Sequence, residues 1–414
     1  MIIAVAALIG VAQLIGPPKA PPPPRTIAER RVRNLVVFDA VWQQIDRHYY
    51  DRTFHGQDWH ALRSELRPKA SASVNDADLY NVLGNMTGRL HDSHTSAVPG
   101  NATDLSAAPG QVSIDVRCTR PLSQIDLGFW PGRSWSPDAV NVVADLRKDS
   151  PADHAGLEPG TELAEWTVTT VPCGPARANL DILPSKSTPE RHVSYVVEQG
   201  PSEQSHQAWT LADGVRVLRF NSFNYENGAW LLAELRSAPV AGVILDLRHN
   251  SGGIDQVLDV VTGVLVGPGR PIGTWIDDRG RHPKQSRQLN LLDRMLLSDH
   301  ITPDPFRYYG PLVVMIGPAS TSAAEVLAQS LHFNGRAVLV GERTGGEVEA
   351  ARKFWLPDGG VVEVSVADFE DPTGHRLENR GVVPDLFARQ TLAAIRSGRD
   401  LVLEASDRAM TRSP

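Results

Sequence analysis

Ser322 stands where the chain changes its period. Pro311-Leu-Val-Val-Met-Ile316 is a short apolar, β-branched run that reads as a buried strand. After it, Ala323, Val326, Leu327 and Leu331 recur at helical spacing, and Ala328 and Gln329 suit a helix. A serine at such a junction lies at the positive end of a helix, beside backbone N–H groups that have no intrahelical partner. That place can hold both a nucleophile and the donors for an oxyanion. Ser320, Thr321 and Ser322 are also preferred helix caps, so pure capping is the competing reading. A second polar stretch, His91-Asp-Ser-His-Thr95, lies in a loop between Leu90 and Ser96-Ala-Val-Pro-Gly. Loops of this kind carry function, although a solvated surface histidine is the plainer alternative.

The elements that must hold these residues alternate. Val215-Arg-Val-Leu-Arg-Phe220 and Val243-Ile-Leu-Asp-Leu247 read as strands. Ile254, Val257, Leu258, Val261 and Leu265 mark a helix over 254–266, and Ala337-Val-Leu-Val340 marks a further strand. Strand–helix–strand alternation predicts an α/β core with a largely parallel sheet. In such sheets, sites lie at the carboxyl ends of strands. Arg248-His-Asn-Ser-Gly-Gly253 and Gly317 to Ser322 both fall there, and this agreement favours chemistry over capping.

Residues from Thr26 to about Gly88 read as helical. Val36, Val37, Ala40, Val41, Ile45 and Tyr49 form one apolar stripe, continued by Leu62, Leu66, Leu79, Leu83 and Met86. Trp42 and Trp59 read as core. From about Gly110 to Gly200 the chain changes character. Ile125-Asp-Leu-Gly-Phe-Trp-Pro-Gly132, Val140-Asn-Val-Val-Ala144 and Ser150-Pro-Ala-Asp-His-Ala-Gly-Leu-Glu-Pro-Gly160 follow in the order of a PDZ domain, which this segment resembles. By that resemblance, Leu127, Gly128 and Phe129 form the loop whose amides hold a peptide carboxylate, and the groove adds a strand to the sheet. An ordinary β-rich domain with Gly-Pro turns is the alternative.

Composition bounds the rest. The 414 residues suffice for two or three domains, and the net charge of −7 gives no electrostatic case for nucleic acid. There is no Walker loop, no His-Glu-x-x-His and no Cys-x-x-Cys, so metal-free, nucleotide-free chemistry is expected. Met1 to Gly16 is almost wholly apolar and is followed by a proline-rich linker. Its length suits a secretory signal rather than a membrane span, and an uncleaved anchor is the alternative. Export would permit one disulfide between Cys118 and Cys173, the only cysteines; two unpaired thiols are equally open.

Taken together, Leu90-His-Asp-Ser-His-Thr95, the PDZ-like segment, Leu245-Asp-Leu-Arg-His-Asn-Ser-Gly-Gly253, Ser320-Thr-Ser-Ala-Ala-Glu325, Gly335-Arg-Ala-Val-Leu-Val-Gly-Glu-Arg-Thr344 and Glu378-Asn-Arg-Gly-Val-Val-Pro-Asp385 resemble a serine peptidase family. It is that of the carboxy-terminal processing peptidases and tricorn protease, and the resemblance covers roughly residues 34 to 388. It implies that Ser322 is the nucleophile. The processing peptidases take a lysine base from a Gly-Lys-Gly turn, but here that turn reads Thr344-Gly-Gly-Glu-Val348, with Glu347 in the lysine's place. Lys353 is close in sequence but outside the turn. The tricorn-like branch uses a histidine instead, which implies His94 as general base, with Ser93 and Glu378 completing the relay. The resemblance places the oxyanion hole on backbone amides around Gly252, Gly253 and Ala323, with Ser251 standing where relatives carry a third glycine.

The expected architecture is a multidomain α+β and α/β chain. It comprises a signal or anchor segment (1–16), a Pro-rich linker (17–25), a helical domain with the histidine loop (26–105), a PDZ-like domain (110–200), an α/β peptidase core of ClpP/crotonase type by resemblance (205–390) and a C-terminal helix or tail (391–414). The expected activity is that of an exported, metal-free serine endopeptidase without cofactors, periplasmic or extracellular, acting on protein or peptide substrates. A silent ligand- or peptide-binding member of the same fold is the alternative. No nucleic-acid partner is expected, and membrane contact only through the N-terminal segment.

Overall fold

The computed structural model describes residues 21–99, 125–133, 141–169, 177–184, 189–199, 205–237, 241–286 and 306–410. The apolar segment 1–16, Cys118 and Cys173 lie outside them. The chain forms two compact units. The first is built from stretches within 1–127, 164–199 and 351–365; the second from stretches within 128–163, 200–350 and 366–414.

In the first unit three helices follow one another: α1 Ile27–His48, α2 Trp59–Ala72 and α3 Asp76–Gly88. Each begins at a polar cap. Thr26, Asp58 and Asn75 accept hydrogen bonds from the Glu29, Ala61 and Asp78 amides, satisfying donors that the helix itself leaves orphaned. The stripe read from sequence faces inward: Val37, Val41, Ile45, Tyr49, Leu66, Leu79, Leu83 and Met86 are buried together with Leu356, Val362 and Val364. Val36 is the exception and is exposed, on the outer edge of the stripe. Trp42 and Trp59 are core residues, and the Trp42 indole donates to the Trp59 carbonyl at 3.1 Å. After α3 the chain passes through residues 89–95 into strand Ser96–Val98, which pairs antiparallel with Val361–Glu363. Arg177–Ile182 and Arg191–Val196 form an antiparallel hairpin in the same unit.

The second unit centres on a six-stranded sheet. Its strands, in both chain order and spatial order, are β1 His206–Thr210, β2 Arg216–Phe220, β3 Val243–Asp246, β4 Leu312–Ile316, β5 Val338–Gly341 and β6 Leu386–Phe387. Only β1 runs antiparallel to its neighbour; the rest are parallel. Alternate side chains serve opposite faces. Leu218, Leu245, Val314, Ile316 and Leu339 pack with helices α4 Tyr225–Ser237, α5 Asp255–Val266 and α6 Ala323–Phe333. Val217, Ile244, Val313, Met315 and Val340 pack instead with Val402 and Ala409 of a C-terminal helix. Apolar cover on both faces is why β4 reads as an unbroken apolar run and β3 as Val-Ile-Leu up to the buried Asp246. The C-terminal part comprises α7 Leu392–Arg396 and α8 Leu401–Ala409. Phe129–Arg133 and Asn141–Leu146 form an antiparallel pair, followed by a short helix, Pro151–His154. Among the described residues no helix is long and apolar enough to cross a membrane.

Candidate active site

Ser322 leads directly into α6 with φ 56° and ψ −122°, a conformation that strains any residue with a Cβ. Its hydroxyl makes no capping hydrogen bond. The surrounding backbone holds the turn instead: the Ser322 N–H donates to the Glu347 carbonyl at 2.7 Å and to Glu325 Oε2 at 3.1 Å. Ser320, two residues earlier, does the stitching. Its fully buried hydroxyl donates to the Leu247 carbonyl at 2.7 Å and accepts from the Gly317 amide at 3.0 Å.

Glu325 is the residue that sequence reasoning quoted only as part of a motif. Its carboxylate is fully buried and collects four donors: the Ser322 amide, the Gly346 amide at 2.8 Å, the Glu347 amide at 2.9 Å and the Thr344 hydroxyl at 2.5 Å. Burial raises its pKa, and these donors pull the other way. One side chain thus fixes the turn before α6 and the turn at 344–347. The signal available in sequence was the Ser-x-x-Glu spacing of a capping box, whose glutamate half is the bond from the Ser322 amide.

The glycine loop lies against the serine. Gly252 has φ 85°, and a Cβ there would meet the Ser322 Cβ at 2.5 Å. Its N–H is given to Asn250 Oδ1 at 2.9 Å. The Gly253 and Ala323 amides are not engaged among the described residues, and the Ala323 nitrogen lies 2.9 Å from that same hypothetical Cβ. Asn250 is buried and ties the loop to β2 through the Phe220 carbonyl.

Ion pairs anchor this loop at its start. Asp246, wholly buried at the end of β3, meets Arg219 at 2.9 Å and Arg248 at 2.8 Å. Burial alone would raise the Asp246 pKa, but Arg248 and Arg219 overcome it and hold the carboxyl well below the usual range. Arg248 also reaches Asp400, the cap of α8, at 2.7 Å, and Arg219 reaches Asp145 at 2.7 Å. His249, enclosed here, is pushed down to about 4 by burial and next by Arg219.

Glu378 is buried and accepts from the Val348 amide at 2.9 Å, while Asn379, at φ 58°, donates its N–H to the Gly346 carbonyl at 2.7 Å. The 344–348 and 377–382 turns are thereby zipped together. Glu347 is exposed. Lys353 belongs to the first unit, where its side chain is 66% exposed and faces Glu363 at 3.7 Å.

His94 and Ser93 also belong to the first unit. Asp92 accepts from the amides of His94 at 3.1 Å and Thr95 at 2.6 Å, an Asx turn that shapes the loop. The Ser93 hydroxyl lies 2.6 Å from His94 Nδ1. With Nδ1–H donating to that oxygen, Nε2 carries the lone pair.

Of the carboxylate-loop candidates, Leu127 offers its carbonyl to the Tyr195 hydroxyl at 2.7 Å. Gly128, at φ 76°, accepts from the Arg147 amide at 2.9 Å and the Ser150 hydroxyl at 3.2 Å. Phe129 is buried. A Cβ at Gly128 would come within 2.7 Å of Ser150 Oγ, so this turn requires glycine.

Residues 214–387 match peptidase family S41, and residues 33–88 match the tricorn protease C1 domain. A carboxyl-terminal-processing protease of Picosynechococcus sp. is 26% identical over 88% of this chain and 85% of its own length. Tricorn protease homolog 1 of Streptomyces coelicolor is 25% identical over 92% of this chain and 36% of its own length. Among solved structures, the photosystem II D1 C-terminal processing protease superposes with a TM-score of 0.58 at 22% identity, covering 91% of this chain and 97% of that one.

Proposed function

Because the chain belongs to peptidase family S41 and is a serine-type peptidase, we propose that it is an exported endopeptidase that processes carboxyl termini by a Ser–His mechanism. Ser322 Oγ attacks the peptide carbonyl and its proton passes to His94 Nε2. The oxyanion forms beside two amides, that of Gly253 in the glycine loop and that of Ala323 at the start of α6. His94 returns the proton to the leaving amine, and water then releases the acyl group from Ser322. Ser93 holds the His94 tautomer, and Glu378 completes the relay. Leu127, Gly128 and Phe129 receive the substrate's terminal carboxylate through backbone N–H groups.

The observation that carries this reading is the Ser322 hydroxyl, which caps no helix and sits on a strained turn held by other groups. The choice of base rests on the resemblance to the tricorn branch, supported by Glu347 in the lysine's place and by the exposed, ion-paired position of Lys353. The pH dependence of casein cleavage tests it. A histidine base must be neutral to accept a proton, so wild-type kcat/KM rises with pH along an acid limb. His94→Ala should lose roughly three or more orders of magnitude and that limb with it. Lys353→Ala should leave the profile unchanged. Near-normal cleavage by His94→Ala, or its loss in Lys353→Ala, would return the protein to a lysine base.

A further inference from the structure

The loop bearing His94 begins at Leu90, and its first carbonyl is held from outside the loop. His55 Nδ1 lies 2.5 Å from the Leu90 oxygen. A carbonyl only accepts, so Nδ1 carries the proton, and Nε2 lies 2.9 Å from the Tyr50 hydroxyl. Tyr50 also gives its backbone N–H to the Ser365 carbonyl at 3.1 Å. Ser365 in turn holds the other end of the loop: its amide donates to Thr95 Oγ1 at 3.0 Å, and the two hydroxyls are 3.2 Å apart. Both ends of the 90–95 loop are therefore fastened to one line of groups, His55–Tyr50–Ser365, all within the first unit.

His55 itself adopts φ 52° and ψ 36°, left-handed values that a histidine rarely takes. Its N–H is fixed by Asp51 Oδ2 at 2.8 Å. Immediately after the Leu90 carbonyl, His91 is also left-handed, at φ 54°. The loop thus starts with an unfavourable dihedral that needs an outside hold. Leu90 is fully buried, so its carbonyl position sets where the following residues emerge.

We propose that His55 is a positioning residue for His94: its Nδ1–H fixes the start of the loop and with it the placement of the His94 imidazole. This rests on the reading of His94 as the general base.

The test uses the full chain, with fluorescein-labelled casein for kcat and KM and a fluorophosphonate for the labelling rate of Ser322. In His55→Ala, kcat and labelling should fall about ten- to a hundredfold with KM unchanged, the scale expected for a catalytic group moved by about 1 Å. His55→Asn should recover most of the loss, because asparagine tolerates the left-handed conformation and its amide N–H stands near the place of Nδ1–H. His55→Gln carries its amide near Nε2 and should stay low. The Asn/Gln pair decides the matter even if His55→Ala folds poorly. Wild-type rates in His55→Ala, or equal losses in His55→Asn and His55→Gln, overturn the proposal. His94→Ala is run alongside: an active His94→Ala would sink the reading of His94 as base, whereas an inactive His94→Ala with a fully active His55→Ala sinks only the role of His55.

Discussion

Ser320 and Ser322 have the same side chain and opposite duties. The Ser320 hydroxyl is buried between a carbonyl and an amide, so Ser320→Ala strands both. That should cost about 1–3 kcal/mol of stability while leaving catalysis in the folded fraction largely intact. The Ser322 hydroxyl satisfies no backbone donor, so Ser322→Ala should unfold at nearly the wild-type temperature while labelling with a fluorophosphonate disappears. Thermal unfolding and labelling measured on both variants separate the two roles. A marked loss of stability in Ser322→Ala would mean that its hydroxyl caps α6 after all. From sequence the three residues 320–322 were equivalent cap candidates. Only the left-handed φ of Ser322 and the depth of Ser320 distinguish them, and neither leaves a mark in residue type.

At the scale of elements, the core was legible because burial on both faces forces unbroken apolar runs. Val243 to Asp246 and Leu312 to Ile316 could hardly be anything but inner strands, and helical spacing gave α5 and α6 within a residue of their observed starts. The loops between them were legible only as glycine-rich ends of strands. That Asn250 would claim the Gly252 amide, or that Asp246, Arg248, Arg219 and Asp400 would brace the loop, depends on partners up to 152 positions apart. Such pairings have no local pattern. Two consequences can be measured. Gly252→Ala should abolish activity and destabilise the chain by a few kcal/mol, because the new Cβ would overlap Ser322 in a backbone region already closed to it. Cleavage at a wild-type rate would show that the turn can yield. The second consequence is acid sensitivity. His249 stays neutral in the fold down to about pH 4, whereas an unfolded chain takes up that proton near its ordinary pKa of about 6.5. The unfolded state then binds more protons, so stability present above about pH 6.5 is lost as pH falls toward 4, by at most about 3 kcal/mol. In His249→Asn the midpoint of denaturant unfolding should fall less steeply over that window. An unchanged slope would place the acid sensitivity elsewhere.

At the scale of the whole molecule, the two units divide the proposed tasks. The first carries His94 and its supporting loop, the second Ser322, the glycine loop and Glu378. The proposed carboxylate loop is the run Leu127, Gly128 and Phe129. A protease that reads chain ends must recognise a feature internal segments lack, and the terminal carboxylate is that feature. Charge-assisted hydrogen bonds from amides to a carboxylate contribute about 1.5–3 kcal/mol each, and an amide terminus forgoes most of this. A peptide cleaved with a free carboxyl end should therefore show a KM ten- to about a hundredfold below that of its amidated twin, with kcat little changed, since tenfold corresponds to about 1.4 kcal/mol. Gly128→Ala should erase the difference, because its Cβ would press on Ser150 and turn the loop amides away. Steady-state cleavage of the acid and amide forms by both proteins decides it. Equal KM values for the two peptides with the wild-type chain would remove the carboxylate from recognition and leave selection of substrates to the residues flanking the cleaved bond.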